Sequence, residues 1–220
     1  MPKLSDFEAV IFDMDGLLID SETGYCYAWQ QAAATMGYEF SNEFCWSMSG
    51  LHGELVMQAL RAYCGADFNL AQFSQLCTQY WQAHVSQHGI PLKQGVHNML
   101  ALVQQHDLPY ALATNSNQKN TETCLRLAGI LGQFPRRFTQ DDVVMGKPAP
   151  DLFLTAAASL KVEISRCLVL EDSHAGILAA NKAGAYAVLI PSVTPVKPET
   201  LQLCQHMATN LAQLAQMLDA

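Results

Sequence analysis

Short runs of hydrophobic residues alternate along the chain with longer segments in which hydrophobic residues recur every three or four positions. The short runs are typical of buried parallel strands, and the longer segments are typical of amphipathic helices. This alternation predicts an α/β fold with a Rossmann-like parallel sheet, whose ligands gather at the carboxyl ends of the strands. The predicted strands are residues 8–12, 110–113, 167–170 and 186–190, and the predicted helices are 96–105, 119–127, 151–160 and 175–183.

The segment from about residue 21 to 91 interrupts the alternation. It has no convincing strand pattern and several stretches of helical length, and it contains all three tryptophans, no lysine and only Arg61 as a strong base. We therefore expect two domains. Residues 1–20 and 92–220 form a discontinuous α/β catalytic core, and residues 21–91 form an inserted all-helical cap domain.

Composition narrows the class of protein. Half of the 220 residues are hydrophobic and 15% are charged, which is typical of a folded globular chain. The net charge of −8 disfavours nucleic acid and anionic membranes as partners. Seven cysteines without a CxxC pair indicate reduced thiols rather than a disulfide framework or a zinc site. With no long apolar run, we expect a cytoplasmic protein, and a monomer.

Two carboxylates, Asp13 and Asp15, follow the first predicted strand, with Gly16 directly after them. An ordinary turn rich in Asp and Gly is one interpretation of this pattern. A calcium loop is another, although an EF-hand requires further oxygen ligands at alternate positions and glycine at the sixth. The pair by itself leaves these alternatives open.

Three further groups of polar residues come at or near the ends of later strands. Thr114 and Asn115 could bind a phosphate oxygen or simply cap a helix. Lys147 lies between a glycine and a proline and could be an ordinary surface charge; Glu171 and Asp172 end the fourth strand. In a parallel sheet these groups would converge on one edge. Together they supply a carboxylate nucleophile, ligands for a hard cation, and donors for a phosphoryl group.

The strings DMDGLLIDSE, ATNS, GKPAPDLF and EDSHAG, in this order, resemble the four motifs of the haloacid dehalogenase (HAD) superfamily. The resemblance covers nearly the whole chain, and the helical insertion is similar to the cap of the β-phosphoglucomutase and phosphoglycolate phosphatase group. It implies a Mg²⁺-dependent phosphatase in which Asp13 forms an aspartyl-phosphate and Asp15 is the acid/base. It also implies that Mg²⁺ is held by Asp13, the Asp15 carbonyl, Asp172 and Glu171 (the last directly, through water or as an outer partner), and the phosphoryl oxygens by Thr114, Asn115 and Lys147.

The substrate expected from this resemblance is a small phosphorylated metabolite, such as a sugar phosphate. Dehalogenating relatives lack the second aspartate, so Asp15 disfavours dehalogenation, and a cap without lysine disfavours phosphonate cleavage. A phosphosugar mutase of the β-phosphoglucomutase type is the alternative, and a non-catalytic phosphate-binding protein is a further one. The cap residues expected to meet the substrate are Tyr25, Gly50 and His52, where the mutase pattern carries other residues.

Overall fold

Six parallel strands form one sheet in the part of the chain that the computed structural model describes, residues 2–48 and 53–219. They are β1 (Ala9–Phe12), β2 (Tyr110–Ala113), β3 (Arg137–Phe138), β4 (Cys167–Glu171), β5 (Tyr186–Leu189) and β6 (His206–Met207). Their order is β3-β2-β1-β4-β5-β6, so the chain proceeds outward from β1 in both directions. Ligands of such sheets bind where the strand order reverses, which here is the crevice outside β1 and β4. The predicted Rossmann-like α/β fold is confirmed.

Ten α-helices accompany the sheet within these described ranges. They are α1 (Ser21–Thr35), α2 (Asn42–Met48), α3 (Gly53–Cys64), α4 (Leu70–His88), α5 (Val96–Gln105), α6 (Gln118–Leu127), α7 (Asp151–Leu160), α8 (His174–Ala183), α9 (Pro198–Leu203) and α10 (Leu211–Asp219). The chain divides into two compact units, a core of Met1–Asp20 with Pro91–Ala220 and an inserted unit of Ser21–Ile90. No helix in the described ranges combines the length and apolarity that a membrane span requires.

The central strand β1 reads Ala-Val-Ile-Phe, and all four of its residues are buried. Both faces of a parallel sheet are covered by helices, so its strands are hydrophobic without alternation. One face packs on α7 and α8 through residues such as Ile11, Phe153 and Ile177. The pairing of Phe12 with Leu170 aligns the ends of β1 and β4, so the residues that follow these strands emerge side by side.

The inserted unit begins and ends at hydrogen-bonded neighbours. The Asp20 N–H donates to the Pro91 carbonyl at 2.8 Å, and the Lys93 N–H donates to the Leu18 carbonyl at 2.9 Å. Ile19 also pairs with Leu92 in an antiparallel bridge. The insertion therefore leaves and rejoins the core at one place. Its own core is rich in aromatic and thiol side chains, among them Phe40, Phe73, Phe68, Cys26 and Cys45.

Several elements were not predicted from the sequence. The edge strands β3 and β6 are two residues long and polar in part, and they exist because Leu112 pairs with Arg137 and Val188 pairs with His206. Helix α10 has its buried positions at Leu211, Leu214, Ala215 and Leu218 and packs against α5. Its hydrophobic spacing is regular, and the sequence pattern therefore contained a signal for it.

Candidate active site

Two carboxylates and one ammonium converge at the carboxyl ends of β1, β2 and β4. Asp13 follows β1, Glu171 ends β4, and Lys147 reaches them from the loop before α7. The Lys147 Nζ lies 2.5 Å from Asp13 Oδ1 and 2.6 Å from Glu171 Oε1, and it donates to the Ala113 carbonyl of β2 at 2.8 Å. An ammonium has three N–H donors, so these three contacts use all of them.

This ion cluster is nearly inaccessible to water. Asp13, Lys147 and Glu171 are 6%, 4% and 0% exposed, respectively. Burial raises the pKa of the Asp13 carboxyl to about 8; the Lys147 ammonium opposes that rise, and the Glu171 carboxylate adds to it. Burial acts to lower the pKa of the Lys147 ammonium, but Asp13 and Glu171 together raise it above its ordinary value. The lysine therefore remains charged, and in the absence of a further cation the Asp13 carboxyl is mostly protonated near neutral pH.

Glu171 is fixed through both of its oxygens. Oε1 accepts from Lys147, while Oε2 accepts from the Asp172 N–H at 2.9 Å and from the N–H and hydroxyl of Ser173 at 3.0 Å each. Gly176 makes this arrangement possible, because a Cβ at that position would overlap the Glu171 carboxylate. The motif glycine is thus required by the close approach of a carboxylate to α8.

Asp172 completes a set of three acids. One carboxylate oxygen from each of Asp13, Glu171 and Asp172 lies within 4.8 Å of the others. Gly16 lies against this set, because a Cβ at that position would overlap the Asp172 carboxylate. Its φ is +85°. Only glycine adopts this backbone conformation without strain while leaving room for the acid. Carboxylate oxygens at this spacing are the ligands that a hard divalent cation prefers.

Thr114 and Asn115, the predicted phosphate ligands, lie directly after β2. Thr114 is buried, and its hydroxyl accepts from the Ser116 N–H at 3.1 Å. The Asn115 side chain is joined to the Lys147 backbone at both ends: Oδ1 accepts from the Lys147 N–H at 2.8 Å, and Nδ2 donates to the Lys147 carbonyl at 3.0 Å. The amide of Asn115 therefore anchors the loop that carries the buried lysine.

Asp15 contacts a residue that sequence reasoning did not single out. The Ser116 hydroxyl donates to Asp15 Oδ2 at 2.9 Å. A signal for it existed, because Ser116 is the last residue of the second motif and shares a four-residue spacing with Asn120 and Cys124 on the following helix.

Of the three cap residues predicted to contact the substrate, Tyr25 lies within the described part of the chain. Tyr25 is half-buried in α1, and its ring stacks against Trp29 at 6.4 Å and against Trp81 at 5.6 Å between centroids. Gly50 and His52 lie outside the described residues. The Tyr25 ring is therefore part of the aromatic packing within the inserted unit.

Residues 10–190, which contain all of these core positions, match the family described as haloacid dehalogenase-like hydrolase. The chain belongs to this family. The predicted membership of the HAD superfamily and the predicted class of enzyme, a phosphoric monoester hydrolase, are confirmed by this match together with similar phosphatases.

Individual HAD proteins resemble the chain over most of its length. It is 29% identical to β-phosphoglucomutase of Bacillus subtilis (strain 168), with 86% of this chain and 85% of the relative covered. It is 31% identical to validoxylamine A 7'-phosphate phosphatase of Streptomyces hygroscopicus subsp. limoneus, with 83% and 84% covered. A HAD-family hydrolase from Deinococcus radiodurans R1, crystallised with bound phosphate and sodium, superposes with a TM-score of 0.80 at 27% identity, with 95% and 93% covered.

Proposed function

We propose that this HAD protein is a Mg²⁺-dependent phosphatase that hydrolyses a small phosphomonoester through an aspartyl-phosphate on Asp13. The observation that carries the proposal is the buried contact of Lys147 with Asp13 and Glu171 at the switch point of the sheet. A buried lysine beside a carboxylate nucleophile can stabilise the negative charge of a transferring phosphoryl group. The similarity to a named phosphatase and to a phosphate-bound hydrolase supports the same chemistry.

The carboxylates of the cluster support a divalent cation as cofactor. One oxygen from each of Asp13, Glu171 and Asp172 lies within 4.8 Å of the others, and oxygens grouped in this way are the ligands that a hard divalent cation prefers. Burial, with a smaller contribution from the Glu171 carboxylate, raises the pKa of Asp13, and a cation bound beside Asp13 would favour the ionised form that the nucleophile requires. We assign Mg²⁺ to the Asp13 and Asp172 carboxylates and the Asp15 carbonyl, with Glu171 as an outer partner because both of its oxygens already accept hydrogen bonds. Bound there, Mg²⁺ would neutralise phosphoryl oxygens and orient the ester.

In the proposed reaction, Asp13 and Asp15 act in two successive steps. In the first, a carboxylate oxygen of Asp13 bonds to phosphorus, the ester P–O bond breaks, and protonated Asp15 gives its proton to the leaving oxygen. In the second, ionised Asp15 takes a proton from water, the water oxygen bonds to phosphorus, and the bond to Asp13 breaks. The products are an alcohol and orthophosphate, and both aspartates return to their starting states.

Phosphoryl oxygens would be bound by donors on the neighbouring strand ends. We propose the Thr114 hydroxyl, the Asn115 main-chain N–H and the Lys147 ammonium for this role. The Asn115 side chain serves indirectly, since both of its polar atoms hold the Lys147 backbone. The ammonium has no spare donor beside its three protein contacts, so a phosphoryl oxygen must share or replace one of them.

A sugar monophosphate or a similar small polar ester is the proposed substrate. The two relatives described above carry the names of a phosphoglucomutase and of a phosphatase for a small phosphate ester. With Arg61 as the only strong base between residues 21 and 91, the inserted unit offers little to bind a second phosphate. We propose Tyr25, Gly50 and His52 as the cap residues that select the leaving group.

We expect phosphate release from a panel of phosphorylated metabolites in the presence of Mg²⁺, and loss of at least about 100-fold in rate after treatment with EDTA. The reason is that, without the cation, three closely spaced acids would repel an anionic ester. Released orthophosphate is the measurement, and restoration of the rate by added Mg²⁺ is the control. Undiminished turnover in the fully chelated protein would contradict the cofactor, and no turnover across the panel, with ligand binding retained, would favour a non-catalytic phosphate-binding protein.

Phosphosugar mutase activity is the second candidate, favoured by the similarity to β-phosphoglucomutase over 86% of the chain. The two activities differ in what attacks the aspartyl-phosphate, which is water in a phosphatase and a sugar hydroxyl in a mutase. In a reaction of β-glucose 1-phosphate with a glucose bisphosphate primer, we expect orthophosphate to form faster than glucose 6-phosphate forms. Coupled detection of both products distinguishes the two activities, and glucose 6-phosphate in excess of orthophosphate would establish the mutase instead.

A further inference from the structure

A file of hydrogen-bonded side chains runs from Asp15 along one side of α6. The Ser116 hydroxyl lies 2.9 Å from Asp15 Oδ2, the Asn120 Nδ2 lies 3.3 Å from the Ser116 Oγ, and the Cys124 Sγ lies 3.7 Å from the Asn120 Oδ1. Ser116, Asn120 and Cys124 are four residues apart, a spacing that places side chains on the same face of a helix. The file therefore connects the proposed acid/base to the interior of the core.

The direction of each hydrogen bond in the file follows from its chemistry. Asp15 accepts through Oδ2 both when it is ionised and when its other oxygen carries the proton, so the Ser116 hydroxyl uses its single proton toward Asp15. Asn120 must then donate its NH₂ to Ser116, which turns its carbonyl oxygen toward Cys124. The thiol completes the file as a donor. Each member has one orientation consistent with its neighbours, and a hydroxyl that both donates and accepts is restricted in rotation.

The far end of the file is rigidly held. Cys124 is fully buried, and burial raises the pKa of its thiol to about 12, with the Asp15 charge adding to the rise. The thiol is therefore protonated and available as a donor. At the near end, the Asn117 side chain accepts from the Asn120 N–H at 2.9 Å and begins α6 as its N-cap. The helix start fixes the position of Ser116 relative to Asn120.

We propose that Ser116, supported by Asn120 and Cys124, is a positioning residue that holds the Asp15 carboxyl group in the direction needed for proton transfer. The inference rests on the proposed phosphatase function, in which Asp15 is the acid and the base. Ser116 acts on one oxygen of Asp15 and so fixes the plane of the carboxyl group. Its contribution should be largest for esters whose leaving oxygen must receive a proton.

The test compares two esters in Ser116→Ala. 4-Nitrophenyl phosphate releases a stable phenolate without a proton, whereas an alkyl phosphate chosen from the panel releases an alkoxide that needs one. We expect kcat/KM for the alkyl ester to fall by about 10–100-fold, part of the full contribution of general acid catalysis. For the nitrophenyl ester, we expect a loss below about 3-fold. The ratio kcat/KM is used because it reports phosphoryl transfer to Asp13 and not the later hydrolysis.

Three further variants distinguish the positioning of Asp15 from a nonspecific loss of activity. Ser116→Thr keeps a hydroxyl and should recover most of the activity on the alkyl ester. Asn120→Leu removes the donor behind Ser116 and should lose less than Ser116→Ala, with the same preference between esters. Thr123→Ala is the matched control on the same helix, because its hydroxyl donates to the Lys119 carbonyl and not to this file.

Equal losses on both esters in Ser116→Ala, or no loss on either, would overturn the positioning role while leaving the phosphatase intact. A wild-type protein that hydrolyses neither ester with Mg²⁺ would overturn the proposed function, and this inference with it. The two failures are distinguished by the wild-type activity alone.

Discussion

Asp13→Asn is expected to lower kcat for phosphomonoester hydrolysis by about 10⁴-fold or more, in line with the removal of other enzymatic nucleophiles. The amide has nearly the shape of the carboxylate, and its oxygen can still accept from Lys147. It cannot form the aspartyl-phosphate on which both steps depend. The measurement is the orthophosphate released at saturating substrate and Mg²⁺. The orthophosphate background of the assay sets the detection limit.

The same substitution should not lower the free energy of unfolding. Burial raises the pKa of Asp13, which means that the folded state disfavours its charged form, and a neutral amide removes that cost. Urea denaturation without metal measures this, with the exposed Asp67→Asn as the control. Loss of activity together with unfolding would leave the nucleophile unsupported, and an active, folded Asp13→Asn would contradict the proposed function.

Lys147→Met is expected to lower the free energy of unfolding by about 3–5 kcal/mol, the usual cost of removing one partner from a buried ion pair. The substitution would leave Asp13 and Glu171 buried without their shared ammonium. Activity should be lost as well, because the ammonium that stabilises the negative charge of the transferring phosphoryl group would be absent. Urea denaturation in the absence of divalent cations measures the stability, and orthophosphate release with Mg²⁺ measures the activity.

Two variants make the Lys147 result specific. Lys119→Met removes an exposed lysine at the start of α6 and should change stability by less than about 0.5 kcal/mol. Adding Glu171→Gln to Lys147→Met neutralises one of the stranded carboxylates and should restore part of the lost stability but no activity. An unchanged unfolding free energy in Lys147→Met would show that the cluster does not depend on its cation.

The central strands, and the placement of the candidate site residues at their ends, were predictable because they carry strong local signals. Strand β1 is a continuous hydrophobic run, and Asp13 and Asp15 follow it directly, so strand direction places them at the ligand edge. Lys147 was predictable from its motif as a residue of the site. That its ammonium would be shared between two carboxylates was not, since this depends on side chains brought together from distant parts of the chain.

The remainder escaped prediction for identifiable physical reasons. Strand β3 is formed by pairing with β2 and not by its own two residues. Asn115 is polar and follows a strand, which is typical of a ligand-binding residue, yet its amide is used to hold the Lys147 backbone. Ser116 is a common helix-start residue, and its contact with Asp15 spans 101 positions of sequence. Partners at that separation are visible only when the sheet is assembled.

The hydrogen bonds that join residues 18–20 to 91–93 also bear on how this protein could change over evolution. Because the two ends of the insertion are fixed to one another by the core, the length and content of the segment between them impose little strain on the sheet. Loop closure becomes costlier only slowly as a loop lengthens, by about 0.6 kcal/mol per doubling. The inserted unit can thus diverge, or be exchanged as a module in the laboratory, while the proposed catalytic residues of the core are inherited unchanged.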